Sequence, residues 1–409
     1  MTFENRLLPF LQCPTCGERL TFKPVPRPKL GGDEFGILNC SCTKYPLIYG
    51  IPIIGQTRVG FFEHTTGSLG SDGTTPEELV RLLISGRGDE ALLRCLSPPL
   101  RPHWSRSLGG RLSKSWKLAR WYGRREMVKI LANRDAITAR EVLQFYFSKE
   151  ALGADLGDYF IHRFGQPRHL AALALTSNIT GDEMPILDVA CGAGHLDHYL
   201  TCRRHRTQVI GVDINFFQIW IAQHWIAPLA RYVCCNVTDG LPFCSDSFSA
   251  VVVSDAYHYF PHRDQFINEI DRVAPEKTLI FTRVGNRDVM PNEGLELSLQ
   301  NYIHELGRKN TQVFSEEELV RDYLDNRNPL CSHTGSEIRQ LDHCKWLSFI
   351  CNAPVVTSDT CVSEKSRHHS FDMVKFNPIY EQETVGEITK LKFRFSGLWY
   401  AYENHQMLA

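Results

Sequence analysis

Long apolar runs are missing from this sequence: none approaches the roughly 18 residues that a membrane-spanning helix needs. An excess of either charge is missing too, with 45 Lys plus Arg against 46 Asp plus Glu. That balance argues against an acidic tail or a strongly basic nucleic-acid binder. The start, "MTFENRLLPFLQCPTCG", has neither the basic residues nor the apolar core of an export signal, so a cytoplasmic location is expected. Without export, the 14 cysteines are expected as metal ligands and buried thiols, not as disulfides. The 409 residues suffice for two or three domains with a substantial core.

Four of those cysteines fall within the first 55 residues. Cys13 and Cys16 form a C-P-T-C knuckle, whose Pro and following Gly suit a tight turn that points two thiolates at one ion. Cys40 and Cys42 make a second, narrower pair 24 residues beyond Cys16. Two such pairs fit a tetrahedral Cys₄ structural zinc site, closed to any other ligand. Residues 10–55 hold six prolines and few large apolar side chains, so a metal staple is expected to hold the fold. The stretch "YPLIYGIP" resembles the Y-P-[IV]-x-x-G-I-P ending of Trm112-like zinc ribbons, small modules often attached to methyltransferases. The likeness covers this module alone.

Residues 56–75 are rich in Gly, Ser and Thr and read as a linker. A helix pair is expected over "TPEELVRLLISGRGDEALLRCL", with Pro76 in its first turn and Gly86 and Gly88 breaking it. Residues 101–134 carry ten Lys or Arg and one acid, Glu126, interleaved with Trp104, Trp116, Trp121 and Tyr122. Such a run is either a basic aromatic face for RNA, anionic lipid or a phosphorylated substrate, or a solvated helix face whose aromatics enter the core. The second reading is preferred. A further helical stretch follows, with Pro167 as its kink or start.

From residue 185 onward, short apolar runs alternate with helical stretches: "PILDVA", "QVIGVDI", "RYVCC", "FSAVVVSD" and "KTLIFTRV". Five strands at this spacing predict an α/β fold with a doubly wound parallel sheet, whose ligand binds beyond the C-terminal strand ends. The loop after the first strand reads "DVACGAGHLD". A dinucleotide site would have G-x-G-x-x-G, but Asp197 stands in the third glycine's place. Asp188 precedes Gly192 by four residues, giving the frame D-x-A-x-G-x-G through Ala190, Gly192 and Gly194. Two acids beside this turn suit a cation and repel a pyrophosphate.

The frame resembles motif I of class I S-adenosylmethionine-dependent methyltransferases, whose cofactor is a sulfonium with an amino-acid tail. Later stretches match in order. "VIGVDI" ends in Asp213, placed to accept the ribose hydroxyls, with Ile214 beside it. In "CCNVTDGLPF", Asn236 and Val237 stand where the adenine is met. "LPFCSDSFSAVVVSDAYHYF" resembles the L-P-F-x-x-x-x-F-D-x-V stretch of the small-molecule group, with Ser249 in place of its Asp, and Ser254 completes the cofactor set. The resemblance spans roughly residues 160–285 and implies a Rossmann-like class I sheet with S-adenosylmethionine as cofactor. It also implies that "SDAYHYF" runs beside the methyl group, with His258 as candidate base and Tyr257 and Asp255 orienting substrate or cofactor. His258 is equally readable as a packing residue.

The expected organisation is a zinc ribbon over residues 1–55, a linker and helical region over 56–155, the methyltransferase domain over 156–352 and a β-rich C-terminal extension over 353–409. "QVFSEEELVRDYL" is expected as a helix capped by Ser315, and "HCKWLSFICNAP" as a late strand. The extension would cover the cleft, pack on the zinc module or form a dimer contact. The expected function is methylation of a small molecule or of a glycan- or lipid-linked acceptor. An RNA methyltransferase with a zinc module is the alternative, and a non-catalytic or cyclase-type member of the fold the second alternative.

Overall fold

A computed structural model describes residues 3–30, 34–56, 58–60, 62–63, 68–69, 73–100, 116–147, 157–179, 184–203, 208–290, 295–307, 310–325, 327, 330–353, 380–386 and 388–393. Trp104, part of the linker and most of the C-terminal extension lie outside them. The chain forms two compact units. One comprises Met1–Gly157, Asp182–Val251 and Pro261–Glu276; the other Asp158–Gly181, Val252–Phe260 and Lys277–Ala409.

The first unit opens with an antiparallel sheet of β1 (Thr21–Pro24), β2 (Gly36–Asn39), β3 (Lys44–Ile48) and β4 (Ile51–Pro52), paired in that order. Its interior corrects the expectation of a module poor in apolar packing. Leu20, Phe35, Ile37, Leu38, Tyr45, Leu47 and Ile48 are all buried. The linker contains a two-stranded ribbon of β5 (Phe62–Glu63) and β6 (Ser68–Leu69). The helix pair forms over Pro76–Ile84 and Gly88–Leu96, and Thr75 and Glu78 close a capping box on the first helix. A helix also spans Trp116–Ala132, within the basic run. Trp121 is 54% exposed there, with the Arg125 guanidinium over its ring, so this aromatic does not enter the core as expected.

The apolar runs become β7 (Ile186–Val189), β8 (Val209–Asp213), β9 (Arg231–Cys234), β10 (Ala250–Ser254) and β11 (Thr278–Gly285). β7, β8 and β9 pair in parallel, and almost all of their residues are buried, as the near-continuous apolar runs require. Helices His195–Arg203 and Phe216–Ile221 link them. In the first unit the strand order is β10-β7-β8-β9.

β10 passes into the second unit, where the order is β12 (Gln312–Ser315), β13 (Trp346–Cys351), β11, β10. β13 runs antiparallel to both of its neighbours, so the sheet is mixed and not wholly parallel. The expected helix at residue 312 begins only at Glu316, because 312–315 is strand. Ser315 occupies its N-cap position without a side-chain capping bond. Of the extension, β14 (Tyr380–Val385) and β15 (Ile388–Phe393) form a hairpin.

The N-terminal module is joined to the edge of the first unit's sheet. Ile53 makes a parallel bridge to Cys234 of β9, and the Ile54 N–H donates to the Cys234 carbonyl at 2.9 Å. Leu11 bridges Phe243, flanked by Gln12 N–H to Pro242 O and Cys244 N–H to Phe10 O. Tyr49 packs edge-on against Trp220 and His224. The module thus covers an edge that would otherwise present unpaired backbone groups. Truncation of residues 1–55 is therefore expected to promote aggregation relative to the full chain, measured by size-exclusion chromatography. Ile53→Ala in the full chain is expected to lower unfolding free energy by about 2–4 kcal/mol in a denaturant titration.

Candidate active site

Ala190, Gly192 and Gly194 after β7 all adopt positive φ, at 57°, 57° and 78°. At Gly194 space also demands glycine, since a Cβ would meet the Ala222 Cβ at 2.7 Å and the Tyr232 hydroxyl at 2.8 Å. The loop is closed from the neighbouring strand. Gly192 N–H donates to Asp213 Oδ2 at 2.9 Å, and Asn215 N–H donates to Asp213 Oδ1 at 2.8 Å. Burial raises the Asp213 carboxyl above its ordinary value, and the N–H groups of Asn215, Gly192 and Ile214 oppose that rise. Asn215 in turn caps the helix after β8, its Oδ1 accepting from Phe217 and Gln218 N–H. Ile214 stands between these two residues, its carbonyl facing the Cys234 thiol at 3.5 Å.

Asp188 is buried within β7. Asp197, in the first turn of the next helix, is fully buried and interacts with Asp188 and with the Tyr232 hydroxyl. Burial pushes the Asp197 carboxyl up to about 7. Its Oδ2 lies 2.8 Å from where a Cβ on Gly211 would stand, so the missing side chain of β8 makes room for it. The reading of Asp197 as a free negative charge beside the ligand is corrected accordingly. It is a buried acid whose surroundings favour its neutral form.

Asn236 follows β9 and caps a short turn over Val237–Asp239. Its Oδ1 accepts from the Thr238 N–H and hydroxyl, and Val237 is buried. In the N-terminal module, the Sγ atoms of Cys13, Cys16, Cys40 and Cys42 all lie within 4.8 Å of one another. Cys42 Sγ is 3.6 Å from Cys13 Sγ and 3.5 Å from Cys40 Sγ. Thiolates on one tetrahedral zinc are separated by about 3.8 Å, given bonds of about 2.3 Å. Burial disfavours the Cys13 thiolate. Hydrogen bonds from Tyr45 and from the Cys16 and Thr15 backbone outweigh this and bring the group down to about 6.

In the second unit, Ser254 ends β10 and its hydroxyl accepts from Thr282 Oγ1 at 2.9 Å. Asp255 follows with φ of 58°. Its Oδ2 meets Arg168 at 2.9 Å, Arg163 at 3.1 Å and the Tyr159 hydroxyl at 3.1 Å, while Oδ1 faces Arg283 at 3.3 Å. Burial opposes ionisation, yet the guanidinium groups of Arg168, Arg163 and Arg283 hold the carboxyl well below the usual range. Arg283 sits where the β11–β13 register slips between Phe281 and Val284, with φ of 52°. This bulge re-aims its side chain towards Asp255 and Glu316, over the Trp346 ring at 3.9 Å. The Tyr257 hydroxyl donates to Glu305 Oε1. His258 is 1% exposed and packs between the rings of Tyr259 and Trp346. Asp255, Tyr257 and His258 thus share one turn, but the charge of Asp255 is already matched. The arginines escaped sequence reasoning because Arg283 is remote from Arg163 and Arg168 in the chain.

A family model described as "Methyltransferase domain" matches residues 187–281. A phthiotriol/phenolphthiotriol dimycocerosates methyltransferase of Mycobacterium leprae is 35% identical over 98 residues, 24% of this chain and 35% of that protein. A malonyl-[acyl-carrier protein] O-methyltransferase of Methylovorus sp. is 30% identical over 108 residues, 24% of this chain and 36% of that protein. The chain thus spans about a third of the length of the curated relatives it matches. Among solved structures, a geranyl diphosphate C-methyltransferase from Streptomyces coelicolor in complex with S-adenosyl-L-homocysteine has a TM-score of 0.34. It is 13% identical, with 45% of this chain and 74% of that one covered.

The buried acid pair makes stability depend on pH in a defined direction. The native Asp197 carboxyl titrates near 7, above its unfolded value, so the native state binds the extra proton between the two. Its contribution is fully present below the unfolded carboxylate range and is lost as pH rises through about 7. Asp197→Asn is therefore expected to raise the melting temperature relative to wild type more at about pH 8 than at about pH 5. A difference that does not change with pH would contradict the assignment. The acid pair and the Gly192–Asp213 closure lie within residues 187–281, the segment that the methyltransferase-domain family model matches.

Proposed function

We propose that this chain transfers a methyl group from S-adenosylmethionine to a small molecule or to a lipid- or glycan-linked acceptor. The observation that carries the reading is the closure of Gly192 by Asp213 beyond the ends of β7 and β8, where open α/β sheets bind ligands. Each Asp213 oxygen accepts one backbone N–H and keeps lone pairs for a ribose hydroxyl. Gly194 and Ala190 bring bare backbone to the same loop, fitting a methionine tail beside Asp188. Ile214, Asn236, Val237 and Ser254 complete the proposed cofactor set. The acceptor class is in keeping with relatives named for dimycocerosates and for a malonyl group on acyl-carrier protein.

When bound, the sulfonium supplies an already activated methyl carbon for in-line displacement. The chain's work is then to orient the acceptor and to remove any proton its nucleophile carries. In the turn after β10, His258 is the candidate proton acceptor. Tyr257 and Asp255 act on the positioning side, since the first is held by Glu305 and the second by three arginines.

The N-terminal module, residues 1–55, is proposed as a Trm112-like ribbon with a structural zinc on Cys13, Cys16, Cys40 and Cys42. The fit of the four sulfurs to one tetrahedron supports it. A closed Cys₄ site leaves no position for substrate, so this metal takes no part in methyl transfer.

Calorimetric titration with S-adenosylmethionine and its demethylated product tests the enzyme reading. Binding to wild type is expected, weakened about 10–100-fold in Asp213→Asn by the loss of charge-assisted hydrogen bonds. No binding to wild type would overturn the reading, and salt-dependent binding to RNA would favour the RNA alternative. For the ribbon, Cys13→Ser with Cys40→Ser is expected to lower bound zinc by one ion per chain. Unchanged metal content, read by mass spectrometry, would remove the zinc assignment.

A further inference from the structure

A second cluster of metal-ligating side chains lies in the other unit, remote in sequence from the four thiols. Glu318 stands on the helix Glu316–Leu324, and Cys331 and His333 stand on the segment that returns from it. One ligand atom from each lies within 4.8 Å of the other two. Glu318 Oε2 is 3.6 Å from His333 Nε2, which is 3.9 Å from Cys331 Sγ. Donors on one tetrahedral zinc are about 3.4–3.6 Å apart, so contraction by a few tenths of an ångström would close the set.

We propose that Glu318, Cys331 and His333 form a second metal site, for a zinc-class divalent cation, with one coordination position open to the adjoining cavity. The donors are positioned by backbone. His333 exchanges two hydrogen bonds with Val313, at 2.8 and 3.0 Å, and the Cys331 N–H donates to Asp322 Oδ2 at 2.9 Å. Glu318 Oε2 accepts no hydrogen bond and faces His333 Nε2, while the side chain as a whole is 44% exposed and reaches solvent. Asp322 and Glu337 add negative potential around Cys331, with Arg327 opposing them and paired to Asp322. The adjoining cavity, about 550 Å³, is lined by Ser315, Glu318, His333, His343, Cys344 and Trp346.

The donor set gives the selectivity. A thiolate and an imidazole favour zinc-class ions, whereas magnesium and calcium take oxygen ligands. Binding would displace the Cys331 thiol proton to solvent and form the sulfur–metal bond, with no change of oxidation state. Three protein ligands and an open fourth position are the layout of a zinc that engages a further ligand, unlike the closed Cys₄ set. A simple ion pair between Glu318 and His333 is the competing account, and it gives Cys331 no part.

The test uses the full chain, loaded with zinc, desalted and analysed for metal per chain. Wild type is expected to hold two ions, Cys331→Ser with His333→Ala one, and Cys13→Ser with Cys40→Ser one. Combining all four substitutions should leave none. Zinc retained undiminished by the Cys331→Ser, His333→Ala chain would overturn the site, while the Cys13→Ser, Cys40→Ser chain reports on the ribbon separately. As a check against misfolding, added zinc should raise the melting temperature of wild type more than that of the near-isosteric Cys331→Ser variant. Equal shifts in both would also overturn the proposal, and magnesium should shift neither.

Discussion

The two oxygens of Asp213 each accept a backbone N–H from a different turn, Gly192 on one side and Asn215 on the other. A buried carboxylate without such partners would be expensive, and bonds to a charged acceptor contribute about 1.5–3 kcal/mol each. The loop after β7 and the helix after β8 are therefore fixed by one side chain. Positive φ at Ala190 and Gly192 follows, because the chain must turn its N–H towards the next strand. Gly194 then has to be bare where Ala222 and Tyr232 press on it. The geometry of this loop is the solution to a hydrogen-bonding problem at the ends of two parallel strands.

Asp255 poses the same problem with the opposite outcome. Where Asp213 is met by neutral N–H groups and its pKa rises, Asp255 is met by three guanidinium groups and its pKa falls. Replacing buried ion networks by apolar groups is often harmless, but removing one partner leaves an uncompensated charge costing about 3–5 kcal/mol. The network is thus better read as fixing one conformation of the turn after β10 than as a source of net stability. The left-handed backbone at both Asp255 and Arg283 is strain of this kind, held in place by the charges it brings together.

The five strands from β7 to β11 were legible because strands buried on both faces must be written as continuous apolar runs. The direction of β13 was not legible, since a parallel and an antiparallel strand bury the same side chains. The Cys₄ constellation and the D-x-A-x-G-x-G frame were readable because their spacing is local. Asp197 was misjudged for a reason specific to β8. The side chain absent at Gly211 opens a space that only the folded sheet reveals, and the Asp197 carboxyl fills it. The arginines around Asp255 left no local pattern, and a register slip in β11 re-aims Arg283 in a way that residue periodicity cannot announce.

The N-terminal module combines a thiol cluster with an apolar interior. Read from composition, it needed its thiols to fold at all. With Leu38, Tyr45, Leu47 and Ile48 buried and Ile53 bridged to β9, most of its cohesion is apolar packing and sheet pairing. The four thiols sit at the knuckle end, where Cys16 and Cys42 are exposed and apolar cover is thin. A cation there would fix the two turns, whereas the join to the sheet edge depends on Leu11, Tyr49 and Ile53. Those contacts protect β9 whatever the charge state of the sulfurs. The module therefore acts first as a cover for a strand edge, and its thiol cluster bears only on the two turns that carry it.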